Sequence, residues 1–331
     1  MPFLARRRVL AFAGVAAGAA GLTARPRPAR AFPERSVRIV VPYNAGGITD
    51  VMSRAVAAAL QGVVGQPVVV ENRAGANGSV GTLAAARAPA DGHTLVMGIT
   101  DTHAINPSTF RDLPYDPGRD FAPVGLVARV PFALMVGPTK REVRDFADFL
   151  RRARVERERY TFATWGVGSS SHLAYERLSR HFGFDKLHVP FTGQAPGMQA
   201  VASGQVDSMM LPVGGAHALA QGGQARVLAT ASGGRLALTP DAPTLAEVGL
   251  DMTAGLWLGL FAPAGTPPAA VARLNAALAE AYRSPQLLDV FRQQATAPEH
   301  STPEALGEMR AREQALWAGI VREAGIVAEA S

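Results

Sequence analysis

Short apolar runs alternate with longer amphipathic stretches along most of the chain. Val37–Val41 is a β-branched run that predicts a buried strand, and residues 51–60 have the spacing of a helix. Strands are predicted at 37–41, 66–71, 94–99, 124–136, 160–164, 187–191, 205–211, 227–230 and 256–262. Helices are predicted at 51–60, 79–88, 146–157, 173–182, 269–283 and 303–324. This alternation predicts an α/β protein whose sheets are largely parallel.

Two glycine loops lie between a predicted strand and a predicted helix. Gly46-Gly47 follows the first strand, and Gly166-Val-Gly168-Ser-Ser-Ser-His172 follows strand 160–164. The unpaired N–H groups of a helix start, together with the helix dipole, attract anions. Two domains that faced one another would direct both loops at one carboxylate-bearing molecule. Thr49 or Asp50 is predicted to cap the helix that follows the first loop. An ordinary tight strand-to-helix turn is the alternative interpretation of this loop.

The first 31 residues have the pattern of a secretory signal peptide. A basic Arg6-Arg7-Arg8 cluster precedes an apolar stretch, and Ala29-Arg30-Ala31 supplies a small-residue cleavage site. We therefore predict a periplasmic protein cleaved near Ala31, with an uncleaved membrane anchor as the alternative. The twin-arginine and general export routes both remain open.

Removing this segment changes the charge of the protein. The whole chain has 33 basic and 27 acidic residues, which gives a net charge of +6. Residues 1–31 contain six arginines and no acid, so 27 basic and 27 acidic residues remain. A neutral mature chain argues against nucleic-acid binding, which requires a lasting basic excess.

The length and the composition limit the other function classes. About 300 mature residues predict two domains, and a core of that size needs no disulfides. The chain has no cysteine, and its seven histidines form no paired metal-binding motif. We therefore expect no metal and no cofactor.

A serine hydrolase or transferase is the competing interpretation. Ser169–Ser171 lie beside His172, and Asp207 begins an apolar strand. However, a serine run that opens a helix is more typical of a cap than of a nucleophile. Asp207 is assigned to the cleft as a hydrogen-bonding group, with an ordinary strand-edge residue as the alternative.

Several segments together resemble the periplasmic solute-binding receptors of tripartite tricarboxylate transporters, which are often called Bug receptors. They follow the family order and cover nearly all of the mature chain. The matching segments are VRIVVPYNAGGITD (37–50), GQPVVVENRAGANGSVG (65–81), ADGHTLVMG (90–98), THAINP (102–107), LPYDPGRDFAPVGLVA (113–128), GSSSHLA (168–174), HVPFTG (188–193), SGQVD (203–207) and FAPAGTP (261–267).

The resemblance implies a two-domain Venus-flytrap fold of type II, in which each domain is a mixed, mostly parallel sheet flanked by helices. Domain one would comprise residues 32–129 and 258–331, and domain two residues 130–257. The implied protein is a monomeric, non-enzymatic receptor that binds a small organic acid. It would deliver this ligand to a tripartite-type membrane permease or to a sensor protein.

The resemblance also implies the ligand contacts, which in this family come from backbone amides, hydroxyls and bridging waters. Carried over by position, the contacts are Tyr43, Asn44, Ala45, Gly46, Gly47, Thr49, Thr100, Asp101, Thr102, Trp165, Gly168, Ser169, Ser170, Thr192, Gly193 and Asp207.

Three positions depart from the family pattern. Asp101 replaces a small neutral residue, and a carboxylate in the cleft would repel a dianion. We therefore expect a ligand that carries a cationic group or only one carboxylate. Trp165 replaces a smaller residue and would give a compact or aromatic pocket. The stretch Met210-Leu-Pro-Val-Gly-Gly215 is less polar than usual, so no contacts are assigned to it.

Overall fold

One long strand, β4 (Phe121–Val136), organises the fold in the computed structural model of this protein. The structure describes residues 32–155 and 160–328, so the predicted signal peptide and its cleavage site lie outside the described residues. The helix predicted at 146–157 is described only as far as residue 155.

The elements follow the order that the sequence predicts, with four additional helices. The strands are β1 (Val37–Val41), β2 (Val68–Asn72), β3 (Thr94–Ile99), β4, β5 (Tyr160–Thr164), β6 (Lys186–Pro190), β7 (Ser208–Pro212), β8 (Arg226–Thr230) and β9 (Gly255–Pro263). The helices are α1 (Ile48–Val64), α2 (Ser79–Ala86), α3 (Asn106–Thr109), α4 (Phe146–Val155), α5 (Ser170–Phe182), α6 (Gln194–Ala202), α7 (Val213–Gln221), α8 (Pro268–Ala281), α9 (Pro285–Gln293) and α10 (Pro303–Ala324). The short helices α3, α6, α7 and α9 are absent from the sequence prediction.

The strands form one continuous sheet in the order β2-β1-β3-β9-β4-β7-β5-β6, and β8 also pairs with β4. Residues 121–131 of β4 pair with β9, and residues 132–136 pair with β7 and β8. We call β1–β3 with α1–α3 and α8–α10 the first lobe, and β5–β8 with α4–α7 the second lobe. The point at which β4 changes from pairing with β9 to pairing with β7 and β8 lies close to the predicted domain crossing. The domain limits themselves stay a prediction.

The sheet is mixed, and its parallel pairs lie within the two lobes. The pairs β1–β2, β1–β3, β5–β6 and β5–β7 are parallel, whereas every pair that involves β4 or β9 is antiparallel. These two central strands cross between the lobes. The parallel strands therefore keep their carboxyl ends free to present loops.

Helix α1 shows how the sequence sets the local structure. Met52, Val56 and Leu60 recur every four residues and are buried on one face of the helix. The helix ends at Gly65, whose φ of 68° gives the left-handed C-cap that glycine favours. It begins at Ile48 after Gly47, so the predicted side-chain cap by Thr49 or Asp50 is wrong.

No helix in residues 32–155 and 160–328 has the length and apolar character needed to cross a membrane.

Candidate functional site

A small cavity lies where the two lobes meet at the carboxyl ends of β1, β3 and β5. We call this space the interlobe cavity, and it is lined by Tyr43, Gly47, Ile48, Thr49, Ile99, Trp165, Gln194 and Leu256. Its volume is about 10 Å³, which is close to the space that one water needs. In the described conformation this cavity has no room for an organic molecule.

The N-terminus of α1 reaches this cavity through Gly47. This glycine has no side chain with which to cap the helix, so the first N–H groups remain open to other acceptors. The N–H of Ile48 donates to Oε1 of Gln194 in the second lobe over 2.9 Å. A neutral amide oxygen therefore caps this helix, from a residue that the sequence analysis did not assign to the site.

Asp50 stabilises the loop that precedes α1. Its carboxylate accepts hydrogen bonds from the Gly46 N–H (3.0 Å), from Arg54 (3.1 Å) and from Asn72 (3.0 Å). Burial acts to raise the pKa of Asp50, but these hydrogen bonds outweigh it and leave the pKa below its usual value. The carboxylate of Asp50 is therefore ionised and holds the loop in place.

Asp101 of the first lobe accepts the first N–H of α5, beside the N-cap residue Ser169. Oδ1 of Asp101 accepts hydrogen bonds from the Ser170 N–H and from Nε1–H of Trp165, both over 2.9 Å. The Ser170 hydroxyl donates to Oδ2 over 2.7 Å. Asp101 is fully buried, so its carboxylate takes up the donors that the second glycine loop offers to an anion.

Burial dominates the electrostatics around Asp101. It raises the pKa of this carboxyl, while the hydrogen bonds from Ser170 and Trp165 act in the opposite direction. The pKa of Tyr43 is raised well above its usual value by burial and then by the nearby charge of Asp101. The hydroxyl of Tyr43 stays neutral and donates to the carbonyl of Asn77 over 3.2 Å.

The rim of the site also connects the lobes. Nδ2 of Asn44 donates to Oγ1 of Thr192 over 3.2 Å. Gly193 lies against Asn44, and Ala45 and Gly46 are exposed on the outer side of the loop. The first loop and the segment before α6 therefore meet around the entrance.

Four other predicted contacts have local structural partners. The N–H of Trp257 donates to Oγ1 of Thr100 (2.8 Å), and Oγ1 of Thr102 interacts with the backbone of Ile99 at 3.1 and 3.2 Å. Ser169 caps α5 by accepting from the His172 N–H, while the Gly168 N–H donates to Nδ1 of His172. These residues shape the ends of β3 and α5 but do not line the interlobe cavity.

Asp207 lies away from the cavity, contrary to the sequence prediction. It precedes β7 and accepts hydrogen bonds from Thr139 and from both the N–H and the hydroxyl of Thr161. Thr161 is at the amino-terminal end of β5, whereas Trp165 follows its carboxyl end. The strand-edge interpretation is therefore the correct one for Asp207.

The serine-hydrolase interpretation lacks a nucleophile and its base. The hydroxyl of Ser170 donates to Asp101, and that of Ser171 donates to the carbonyl of Met210. His172 instead accepts from the Gly168 N–H, and its Nε2 lies 3.7 Å from Glu176. With Asp207 at the other end of β5, no triad forms.

The described part of the chain contains no cluster of three or more histidine, aspartate or glutamate side chains suited to a metal ion. A larger cavity of about 650 Å³ lies elsewhere between the lobes, beside the crossing strands and α10. Of the predicted contacts, only Thr100 lines this larger cavity, and its Oγ1 is already bonded to β9. We place the ligand site at the interlobe cavity because the glycine-loop start of α1 and the Trp165 loop before α5 converge there.

Comparison with known proteins identifies the family. The sequence model described as the tripartite tricarboxylate transporter family receptor matches residues 52–326. The chain belongs to this receptor family. The resemblance inferred from the sequence is thus confirmed, and so is the periplasmic-binding-protein fold.

Individual members of the family are similar over nearly their whole length. BugT of Bordetella pertussis is 34% identical over 322 residues, which cover 96% of this chain and 98% of BugT. Rpa4515 of R. palustris with adipate has a TM-score of 0.85 at 32% identity and covers 90% of this chain and 100% of that one. MatC of Rhodopseudomonas palustris with bound malate has a TM-score of 0.82 at 33% identity, with coverages of 88% and 100%.

The sequence analysis missed four residues that line the interlobe cavity. Ile48, Ile99 and Leu256 have the apolar character of core residues, and nothing in the local pattern distinguishes them. Gln194 had a usable signal, since it is a polar residue directly after the Thr192-Gly193 pair assigned to the site.

Proposed function

We propose that this protein is a periplasmic, non-enzymatic receptor that captures a small organic acid between its two lobes. It is exported by the signal peptide predicted in residues 1–31 and acts as a monomer. It delivers the ligand to a tripartite-type membrane permease or to a sensor protein. Bound adipate and malate in the two similar proteins support a carboxylate as the ligand.

The observation that carries this proposal is the neutral cap on α1. A carboxylate is a stronger acceptor at a helix N-terminus than an amide oxygen, because its charge also interacts with the helix dipole. When the lobes separate, Oε1 of Gln194 leaves the N–H of Ile48. A ligand carboxylate then takes its place, and the lobes close over the remainder of the molecule.

The lining residues determine which molecule fits this site. Ile48, Ile99, Leu256 and Trp165 provide apolar surface, while Thr49 and Gln194 supply polar groups beside it. The described part of the chain places no arginine or lysine on the cavity wall. The ligand is therefore held by helix N–H groups and uncharged side chains, and its apolar part packs against the indole.

Ligand-induced stabilisation tests the proposal. The melting temperature of the purified protein is measured alone and then with an excess of each acid. The acids are monocarboxylates, dicarboxylates, tricarboxylates and aromatic acids. An acid at about one hundred times its Kd stabilises the folded protein by about 2.7 kcal/mol, which raises the melting temperature. Release of the same acid unchanged supports a receptor, whereas its conversion to a product would contradict this proposal.

A glycine substitution locates the binding. A Cβ on Gly47 would lie 3.4 Å from Cβ of Gln194, and its φ of −83° accepts any residue. Gly47→Leu fills the cavity, and we expect binding to weaken about 10- to 100-fold because overpacking costs roughly 1–3 kcal/mol. Gly62→Leu on the same helix is the matched control, since nothing lies within 4 Å of its added Cβ. Equal affinity in both variants would place the ligand elsewhere.

A further inference from the structure

We propose that Asp101 is a built-in substitute for one ligand carboxylate, so the receptor selects acids with a single carboxylate over the corresponding diacids. This inference rests on the proposed function, because it assigns the ligand class of the same site. It makes Asp101 a specificity-determining residue that acts from behind the cavity wall.

The first step of the argument is the set of donors that Asp101 occupies. The Ser170 N–H belongs to the first residue of α5, a helix of 13 residues. That N–H, the Ser170 hydroxyl and the Trp165 indole N–H all donate to the carboxylate of Asp101 at 2.7–2.9 Å. Together they form the kind of anion site that would hold a second ligand carboxylate.

The second step is the position of Trp165 between Asp101 and the cavity. The indole lines the interlobe cavity, while its Nε1–H points to Asp101. Phe132 packs edge-on against the same indole, with ring centroids 5.6 Å apart. Trp165 is 3% exposed, so the ring forms a fixed wall behind which the carboxylate of Asp101 is sealed.

The third step is the balance of charge. Among the described residues, no lysine, arginine or histidine forms an ion pair with Asp101 within 4.0 Å. Its charge is offset by the Ser170 N–H, the Ser170 hydroxyl and the Trp165 indole N–H. A second ligand carboxylate near the indole would meet like charge and would find the Ser170 and Trp165 donors already occupied, whereas a monoacid would place an apolar end there.

The last step concerns the cap on α1, which remains available. Oε1 of Gln194 is uncharged, so a ligand carboxylate that replaces it gains the interaction with the helix dipole. The two helix N-termini thus have room for one external carboxylate in total. A ligand with one carboxylate and an apolar remainder satisfies both ends of the site.

Matched acids measure this selectivity directly. Isothermal titration calorimetry measures the affinity of the purified protein for four pairs, each a monoacid and its corresponding diacid. The pairs are butanoate and succinate, pentanoate and glutarate, hexanoate and adipate, and benzoate and phthalate. We expect the monoacid of the best-fitting pair to bind at least about tenfold more tightly than its diacid, because the diacid places a second negative charge near Asp101. A diacid that binds as tightly as its monoacid overturns the inference and leaves the proposed function intact.

Asp101→Ser tests the residue itself. Its smaller side chain frees the Ser170 and Trp165 donors, so the preference for the monoacid should fall by about tenfold or more. Asp148→Ser is the control, because it also removes one buried carboxylate that accepts a backbone N–H, that of Arg144 before α4, and Asp148 does not line the cavity. An unchanged ratio in Asp101→Ser contradicts the inference.

Two outcomes separate the inference from the proposed function. If no acid of any pair binds to the wild type or to the variants, the proposed function fails, and the inference fails with it. If Asp101→Ser does not fold, Asp101→Asn preserves the shape of the side chain and removes its charge. The wild-type ratio needs no variant and decides the main point by itself.

Discussion

The N-termini of α1 and α5 are alike in sequence context but differ in what caps them. Each follows a glycine loop after a parallel strand, and each is capped by a residue of the opposite lobe. Gln194 offers a neutral oxygen to α1, whereas Asp101 offers a carboxylate to α5. A ligand carboxylate therefore has an advantage over the existing cap at α1 but not at α5.

This difference shows that a helix N-terminus is an anion site only while its present acceptor is weaker than the ligand. The two caps are also reciprocal, because each lobe inserts one side chain into the other. Together with the hydrogen bond between Asn44 and Thr192, they hold the two lobes against each other around the interlobe cavity.

The largest effect on stability is expected at the start of α5, where the charged residue Asp101 accepts hydrogen bonds. Trp165→Phe removes the indole N–H that donates to Asp101 and leaves a buried carboxylate with one donor fewer. We expect the free energy of unfolding to fall by about 1.5–3 kcal/mol, the range for hydrogen bonds to charged groups. Urea unfolding at neutral pH measures this change.

Trp317→Phe is the control for this prediction. Its indole N–H also donates to a carboxylate, that of Glu313, but on a partly exposed helix surface. We expect a loss of less than about 1 kcal/mol there. Equal losses at both tryptophans would show that the Asp101 cap has no special role.

A smaller effect on stability is expected at the start of α1, where the neutral residue Gln194 accepts a hydrogen bond. Gln194→Ala removes the acceptor of the Ile48 N–H, and we expect a stability loss of about 0.5–1.5 kcal/mol. Affinity for the ligand carboxylate should be retained or increased, because nothing has to be displaced. Gln199→Ala, at an exposed position of the same helix, is the control for both quantities.

The combined result of calorimetry and urea unfolding distinguishes two roles for Gln194. A loss of stability with retained affinity identifies it as a cap that the ligand replaces. A large loss of affinity would instead identify it as a direct ligand contact and would remove the contrast with Asp101.

The smallest effect is a difference in pH dependence between two carboxylates. The pKa of Asp50 is lowered in the folded protein, so its contribution to stability is present above the unfolded pKa and is lost as the pH falls. The pKa of Asp101 is raised by burial, so its contribution is largest at low pH and declines as the pH rises above the unfolded value of about 3.8.

Asp50→Asn and Asp101→Asn read out these two contributions. Between about pH 3.5 and pH 7, the stability of the wild type relative to Asp50→Asn should increase. Relative to Asp101→Asn it should decrease. If both stability differences changed with pH in the same direction, the contrast between the two residues would be contradicted.

The sequence predicts most of the fold but misses helices whose formation depends on tertiary packing. In α6 and α7, Pro196, Gly197, Gly214 and Gly215 weaken the local helix signal. A Cβ on Gly214 would lie 2.2 Å from Oε1 of Gln294, and one on Gly215 would lie 2.8 Å from Nε2 of Gln194. These glycines lie close to glutamine side chains that are distant in sequence, and a local pattern does not reveal such contacts.

The sequence predicted the glycine loops of the site but not the side chains that the two lobes exchange. The glycine loops are visible in sequence because they depend on neighbouring residues, and they located Gly47 and Ser170 at helix starts. The caps are not visible, because Gln194 and Ile48 are 146 positions apart and Asp101 and Ser170 are 69 positions apart. Asp101 was expected to face the ligand, whereas burial and three donors direct it to α5.

A crystal structure with the best monoacid bound tests the central claim most directly. The account predicts that the ligand carboxylate accepts the N–H of Ile48 in place of Oε1 of Gln194, while Asp101 keeps its hydrogen bonds to Ser170 and Trp165. A ligand carboxylate bound to the Ser170 N–H, with Asp101 displaced from α5, would contradict it.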